Sequence, residues 1–157
     1  MSNNITITAL RSAIESVIAK ISPTGGARGR NKFRRASTSL SNHDWNERAS
    51  ADVDREFRVT SVRRGEILSF GSTTSNTYKG TFSIEIGHNK TGNVEAGWLR
   101  MDQDLHLIAA TLEKSSNLPD GVHQIRLVEY GDPEDILEGK YWLSTLGFEI
   151  IYSMAAP

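Results

Sequence analysis

The sequence predicts an α+β domain in which two helices pack on one face of an antiparallel or mixed β-sheet of four to five strands. Two segments carry apolar residues at helical spacing, and the other regular segments show the two-residue period of strands with one wet face. These segments follow one another in the order α-β-β-(β)-α-β-β, with no internal repeat. A chain of 157 residues in this order fits a single domain, residues 1–157.

The first helix is predicted from about Thr6 to Ile21. Its apolar residues recur at steps of three and four and form one stripe, which consists of Ile7, Leu10, Ile14, Val17, Ile18 and Ile21. Thr6 or Thr8 can supply the side-chain oxygen that caps the first turn. Pro23 ends the helix, because proline has no N–H with which to continue the hydrogen bonding.

A long basic loop is predicted at about residues 22–52, where no hydrophobic period survives. Its residues 28–35 include five cations, no acid and one aromatic side chain: Arg28, Arg30, Lys32, Phe33, Arg34 and Arg35. A segment of this length without regular structure is rare in a compact domain, and is usually functional or ordered by a partner. The loop is therefore a candidate for contact with another copy of the chain or with DNA.

Two strands are predicted after the loop. Arg55 to Thr60 alternates charged and apolar residues, so Phe57 and Val59 are expected to face inward. The clearest strand runs from Tyr78 to Ile86, and a short piece near residues 67–70 is the strand in brackets.

A second helix and two further strands complete the predicted domain. The helix runs from about Gly97 to Ser115, and the strands run from Val122 to Tyr130 and from Tyr141 to Met154. The helix has an apolar stripe of Met101, Leu105, Ile108, Ala109 and Leu112. We expect an edge of the sheet at the first strand, Arg55 to Val62, or at the last one.

Composition and motifs exclude or disfavour several classes of function. The chain has no cysteine, which excludes disulfides, thiolate metal ligands and thiol catalysis. The longest mainly apolar run, Leu146 to Met154, is far short of the ~20 residues that cross a bilayer, so no membrane partner is expected. The first residues, Met1 to Asn4, lack the features of a secretory signal, so a cytosolic start is expected. None of the common nucleophile, phosphate-loop, dinucleotide or zinc-protease motifs occurs, so we expect neither an enzyme nor a cofactor.

The nearest grouping of metal-ligand residue types is Asp102, Asp104 and His106, with His88 upstream. Residues two apart on a helix point about 200° away from each other, so these three are not expected to converge. We expect Asp102 or Asp104 to support the start of the helix, His106 to be solvated and His88 to make a structural hydrogen bond. A metal-dependent hydrolase is an alternative that requires His88, Asp104 and His106 to cluster.

Charge is divided unequally along the chain. Residues 1–50 carry eight Lys/Arg and three Asp/Glu, a net +5, whereas residues 51–157 carry ten and sixteen, a net −6, which together give −1. Opposite signs on one chain allow head-to-tail contact between copies. We expect such contacts at the edge strands and in the acidic turn, through Arg55, Arg58, Asp132, Glu134, Asp135 and Glu138.

Five segments of the chain together resemble a known family. They are Asp54–Val59, Tyr78–His88, the helix around Asp104, Asn117–Val122 and Trp142–Tyr152. In this order, and with the long loop after the first helix, they resemble the tail terminator (tail completion) proteins of tailed bacteriophages over about residues 5–154.

The resemblance implies an α+β subunit of the virion that assembles as a hexameric ring on the last ring of the tail tube. It also implies that the ring stops tube growth and presents the surface that the head connector or neck protein joins. The partners would then be further copies of the chain, the tail tube protein and the connector, at the head-proximal end of the tail. The residues alone leave another hypothesis open, a small non-specific nucleic-acid-binding module whose basic loop contacts the phosphates of double-stranded DNA.

Overall fold

The computed structural model describes residues 5–23, 33–36, 55–69, 75–89, 94–136 and 141–155. These residues form two α-helices, one short 3₁₀-helix and six β-strands. The helices are α1 (Ile7–Ala19) and α2 (Val94–Glu113), and the 3₁₀-helix is Ser115–Asn117. The strands are β1 (Arg34–Arg35), β2 (Arg55–Ser69), β3 (Ser75–Asn89), β4 (Val122–Tyr130), β5 (Glu134–Ile136) and β6 (Tyr141–Ala155). The predicted α+β class is confirmed.

The six strands form one mixed sheet in the order β1-β2-β3-β6-β4, and β5 also pairs with β6. Because β3 pairs with β6 along its whole length, β5 lies on the same side of β6 as β4. The β1–β2 pair is parallel, and the other pairs are antiparallel. The sheet exceeds the predicted strand number because β1 and β5 are two and three residues long, which is too short to show a period in sequence.

The hydrophobic core lies between the helices and one face of the sheet. β3 and β6 pair in unbroken register, so their even-numbered side chains share the helix-covered face. On that face Tyr78 stacks on Tyr152 and Phe82 stacks on Phe148, with ring centroids 5.8 and 4.9 Å apart. Odd-numbered residues of β3, such as Thr81, stand on the opposite face; no helix among the described residues packs on it, and we call it the uncovered face.

Helix α1 lies where the apolar spacing predicts it. Thr6 is the N-cap, and its Oγ1 accepts a hydrogen bond from the Ala9 N–H at 3.1 Å. Leu10, Ile14 and Ile18 are fully buried on the predicted stripe. The helix is thereby fixed at its start by the cap and along its length by the core.

Helix α2 begins at Val94, three residues before the predicted start, and ends at Glu113. Its stripe of Met101, Leu105, Ile108 and Leu112 is buried in the same core cluster as the stripe of α1. Both helices therefore cover one face of the sheet, as predicted. Within the described residues, no helix is both long and apolar enough to cross a membrane.

The prediction that the last strand lies at an edge is wrong. β6 is central, with β3 on one side and β4 and β5 on the other. The alternation of apolar and polar residues reports which face is buried and not which strands are neighbours, so sequence could not separate a central strand from an edge strand. The other predicted edge, β2, is next to the sheet boundary, with the short β1 beyond it.

The prediction of an irregular loop throughout residues 22–52 is also wrong in its middle. Residues 33–36 contain β1, and the flanking Phe33 and Ala36 are buried. The rest of the predicted loop, with residues 24–32 and 37–52, lies outside the described residues. The predicted separate piece near residue 67 is part of β2, which continues to Ser69 through register shifts against β3.

Candidate functional site: two charged edges of one sheet

The basic edge of the sheet is formed by β1 and the outer side of β2. β1 pairs with β2 at Glu56 and Phe57, and in the described part of the chain no strand pairs with the outer side of β2 beyond Phe57. The cations on this edge are Arg34, Arg35, Arg58, Arg63 and Arg64; Arg58 is half-buried and the others are exposed. Glu66 is the acid on the exposed part of β2.

Three contacts hold β1 in place. The Ala36 N–H donates to the Phe57 carbonyl at 2.9 Å, and Arg35 Nη1 donates to Glu15 Oε2 of α1 at 2.8 Å. The Phe33 ring is 2% exposed in the core, with the Arg55 guanidinium 6.0 Å from its centroid. A buried aromatic residue thus anchors the basic segment, and Arg34 is left on its surface.

The acidic edge is formed by β4, β5 and the turn between them. Its exposed carboxylates are Glu129, Asp132, Glu134 and Asp135. The Gly131 N–H donates to the Thr145 carbonyl of β6 at 2.8 Å, which ties the turn to the sheet. A Cβ at Gly131 would lie 2.9 Å from that carbonyl oxygen, so glycine permits the close approach.

The cation on β4 is already neutralised within the chain. Arg126 pairs with Glu149 on the uncovered face, and Lys79 approaches the same carboxylate at 3.4 Å. The hydrogen bond from Arg126 and the neighbouring Lys79 hold the pKa of Glu149 below its ordinary value of 4.5. The β4–β5 edge therefore keeps a net negative charge.

A second polar cluster is buried between the sheet and α2. One carboxylate oxygen of Asp104, Oδ2, forms hydrogen bonds with two side chains. Arg55 Nε of β2 lies 2.5 Å from it, and His88 Nε2 of β3 lies 2.9 Å from it. The three side chains are at most 2% exposed. Arg55 is therefore corrected from an edge contact to a buried structural charge, and Asp104 from a helix-start residue to a mid-helix one.

Burial in this cluster favours the neutral form of His88. Burial lowers the pKa of His88 from 6.5, and the charges of Arg55 and Arg100 add to that, while the Asp104 carboxylate acts in the opposite direction. Neutral His88 donates its Nε2–H to the carboxylate. Its Nδ1 has no hydrogen-bond partner within the described residues.

This cluster does not provide the site that the hydrolase alternative requires. His88 and Asp104 meet, as the alternative needs, but His106 is exposed on the other side of α2. Over the described ranges, no group of three or more His, Cys, Asp or Glu residues is placed to hold a metal ion. The cluster is closed to solvent, so a substrate has no access to it in this conformation.

The structure separates the predicted site residues into three groups. Arg28, Arg30, Lys32 and Glu138 lie outside the described residues. Phe33 and Arg55 are buried. The remaining predicted contacts stay on the two edges, and they are Arg34, Arg35, Arg58, Asp132, Glu134 and Asp135.

Sequence interpretation missed the convergence of Arg55, His88 and Asp104, although a signal for it existed. Arg55 has the parity of the inward-facing Phe57 and Val59, and His88 has the parity of Ile86. Asp104 lies on the buried stripe of α2. A charge at an inward position predicts a buried partner of opposite charge.

No protein-family model and no curated protein matches this sequence.

Proposed function

We propose that this protein is a non-enzymatic structural subunit of a phage tail, a tail terminator that forms a ring on the end of the tail tube. The observation that carries the proposal is that the two opposite edges of one sheet bear opposite charge. Each edge also presents backbone groups that lack a strand partner among the described residues. Such edges are templates for pairing with another chain.

Opposite charges on opposite edges favour head-to-tail association of identical copies. A head-to-tail contact repeats until the rotation between copies closes a ring, or else it continues as a filament. A closed ring has no remaining edge at which growth continues, so it fits the task of ending a polymer. The resemblance gives the copy number, six, and the object that is capped, the tail tube.

The same proposal assigns the partners and the location. One surface of the ring contacts the tail tube protein, and the opposite surface receives the head connector or neck protein. The protein then resides in the virion at the head-proximal end of the tail, after synthesis in the host cytoplasm. It needs no cofactor for this task.

The mass of the protein in solution tests the proposal. Light scattering is measured at low and high salt, with and without purified tail tubes. We expect a ring near six times the chain's 17.4 kDa, in solution or on the tubes, and weaker assembly at high salt because exposed charges are screened. A monomer that remains monomeric in the presence of tubes would contradict the proposal.

Non-specific binding to duplex DNA is the second candidate function, because the cations Arg34, Arg58, Arg63 and Arg64 follow one edge of the sheet. The burial of Phe33 removes the aromatic side chain that a base could stack on. A salt series separates the candidates. The DNA-binding function would be favoured if the affinity for duplex DNA falls steeply with salt. The salt-dependent binding should then be lost when five cations are replaced by Ala: Arg28, Arg30, Lys32, Arg34 and Arg35.

A further inference from the structure

The registers of the strand pairs place one basic and one acidic residue at the two ends of a single row across the sheet. Arg34 is opposite Glu56, and Glu56 is opposite Gly87 of β3. Gly87 is opposite Leu143 of β6, and Leu143 is opposite Glu134 of β5. Arg34 and Glu134 therefore lie at the same level on opposite edges.

Both ends of this row point to the uncovered face. Directly opposed residues of neighbouring strands share a face, and Glu56 has the opposite parity to the inward-facing Phe57. The neighbouring Arg35 points the other way and pairs with Glu15 of α1. Within this row Glu56 and Leu143 are buried, at 7% and 9% exposure, whereas Arg34 and Glu134 at its two ends are exposed, where a neighbouring copy can continue the sheet.

A second pair of opposite charges, Glu129 and Arg58, lies further along the two edges, in neighbouring rows. Glu129 of β4 is opposite Gly147 of β6. Gly147 is opposite Ser83 of β3, and Ser83 is opposite Thr60 of β2. Arg58 stands two residues before Thr60 on the same face. Arg58 itself lies in the row of Glu85 and Thr145, so Arg58 and Glu129 stand one row apart along the two edges.

The strand directions suit a side-by-side copy. β1 and β2 run together, and the antiparallel pairs β2–β3, β3–β6, β4–β6 and β5–β6 give β4 and β5 the reverse direction. When a second copy is moved across the sheet without being turned over, its β1–β2 edge meets the β4–β5 edge of the first. The two edges then run antiparallel, which is the commoner pairing in sheets.

The charges oppose the competing arrangement. A two-fold dimer would place a β1–β2 edge against its own copy and bring Arg34, Arg58, Arg63 and Arg64 against the same cations. The acidic edge would likewise meet carboxylates. Like charges directly opposed across strands are destabilising, so the edges discriminate against the two-fold pairing.

Exposed apolar side chains occur on both edges. Ile67 and Leu68 of β2 are 43% and 48% exposed, and Val128 and Tyr130 of β4 are 51% and 44% exposed. Each edge thus offers apolar area beside its charges, as the centre of a protein interface requires.

We propose that copies of this chain join along these two edges by antiparallel pairing of β5 of one copy with β1 of the next, with Glu134 beside Arg34 of the neighbour. This inference rests on the proposed function for the closure of the ring. The joint itself is defined by the strand registers. The occupant of each edge is a second copy, because the two edges are complementary in charge, level and direction.

Site-directed cross-linking tests the joint. The chain contains no cysteine, so the single variants Arg34→Cys and Glu134→Cys each carry one thiol. We expect the mixture of the two variants to give a cross-linked dimer on oxidation, and each variant alone to give none. The matched control is Thr81→Cys, which lies on the same face but in the interior of the sheet and should not cross-link with either.

Charge reversal provides the second measurement. Arg34→Glu or Glu134→Arg alone replaces an attraction by a repulsion, and we expect the concentration at half-assembly to rise about tenfold. The two changes in one chain restore opposite charges at the joint and should return assembly to about the original concentration. Circular dichroism of each variant checks that the fold is unchanged.

The outcomes separate this inference from the proposed function. Self-cross-linking of Arg34→Cys, or rings that form without an Arg34–Glu134 cross-link, would overturn the joint and leave the tail function standing. A full absence of assembly, with or without tail tubes, would overturn both.

Discussion

At the scale of single residues, the fold depends on a buried ion pair with a histidine attached. Arg55 and Asp104 join β2 to α2, and His88 of β3 adds a hydrogen bond to the same carboxylate. A buried ion pair adds little stability compared with a well-packed apolar pair. The removal of one partner, however, is strongly destabilising, because the other charge then loses its counter-charge in the core. The cluster therefore fixes how the helix sits on the sheet.

Asp104→Asn should destabilise the protein by about 3–5 kcal/mol, because Arg55 would lose the carboxylate that pairs with it in the core. Urea unfolding followed by circular dichroism measures the free energy of unfolding. The matched control is Asp102→Asn, the same chemical change at an exposed position of α2. Equal losses in the two variants would contradict the role assigned to the cluster.

His88 should make the stability fall in mild acid. Its folded-state pKa lies below 6.5, so the unfolded chain binds more protons than the folded one when the pH falls below that value. The contribution of His88 to the free energy of unfolding is complete above pH 6.5. It is lost as the pH falls below that value, by no more than about 1.4 kcal/mol per pH unit.

His88→Gln is the variant that isolates this effect. Gln keeps a side-chain N–H donor for Asp104 and does not titrate. Denaturant unfolding is compared at pH 7.5 and pH 5 in both proteins, and the difference between the two pH values should shrink in the variant. An unchanged difference would show that His88 is not the group that titrates.

At the scale of elements, sequence periodicity locates the long elements and misses the short ones. β3 and α1 could be predicted because the buried face imposes a period of two or of about 3.6 on many residues. β1 has two residues, and its neighbour Phe33 stands alone among cations, so a composition reading assigns the segment to a loop. The order of strands and the burial of Arg55 depend on contacts between distant segments, which periodicity does not contain.

Phe33→Ala should cost about 3–5 kcal/mol of stability, because it empties a core position next to Arg55. Thermal and urea unfolding measure the loss. Arg34→Ala, one residue further on and exposed, is the control and should change stability by about 0.5 kcal/mol or less. If the Phe33 variant were as stable as the Arg34 variant, the anchoring of β1 would be refuted.

Gly65→Ala should distort the pairing of β2 with β3. A Cβ at Gly65 would overlap the Lys79 carbonyl oxygen, so the strands must separate where the register shifts between Arg63 and Glu66. We expect a loss of about 1–3 kcal/mol in the free energy of unfolding. Glu66→Ala, at the next exposed position, is the control, and a similar small effect of both changes would contradict the close approach.

At the scale of the whole molecule, the fold divides charge across the sheet. Arg34 and Arg35 of the basic edge come from the net basic first part of the chain, whereas Arg58, Arg63 and Arg64 come from the net acidic second part. The sequence predicts opposite charge in the two parts of the chain, and the fold brings Arg34 and Glu134 to opposite ends of one row. The row could not be predicted from sequence, because it depends on β6 being central. The head-to-tail joint and the ring that caps a tail tube follow from this arrangement as proposals.

Growth of the tail tube in the presence of the protein tests the central claim most directly. Purified tube protein is polymerised with and without this chain, and tube lengths and ends are observed by negative-stain electron microscopy. We predict shorter tubes that carry an added ring at one end, with the effect reduced by Arg34→Glu and restored by Arg34→Glu with Glu134→Arg. Tubes of unchanged length with bare ends would contradict the account.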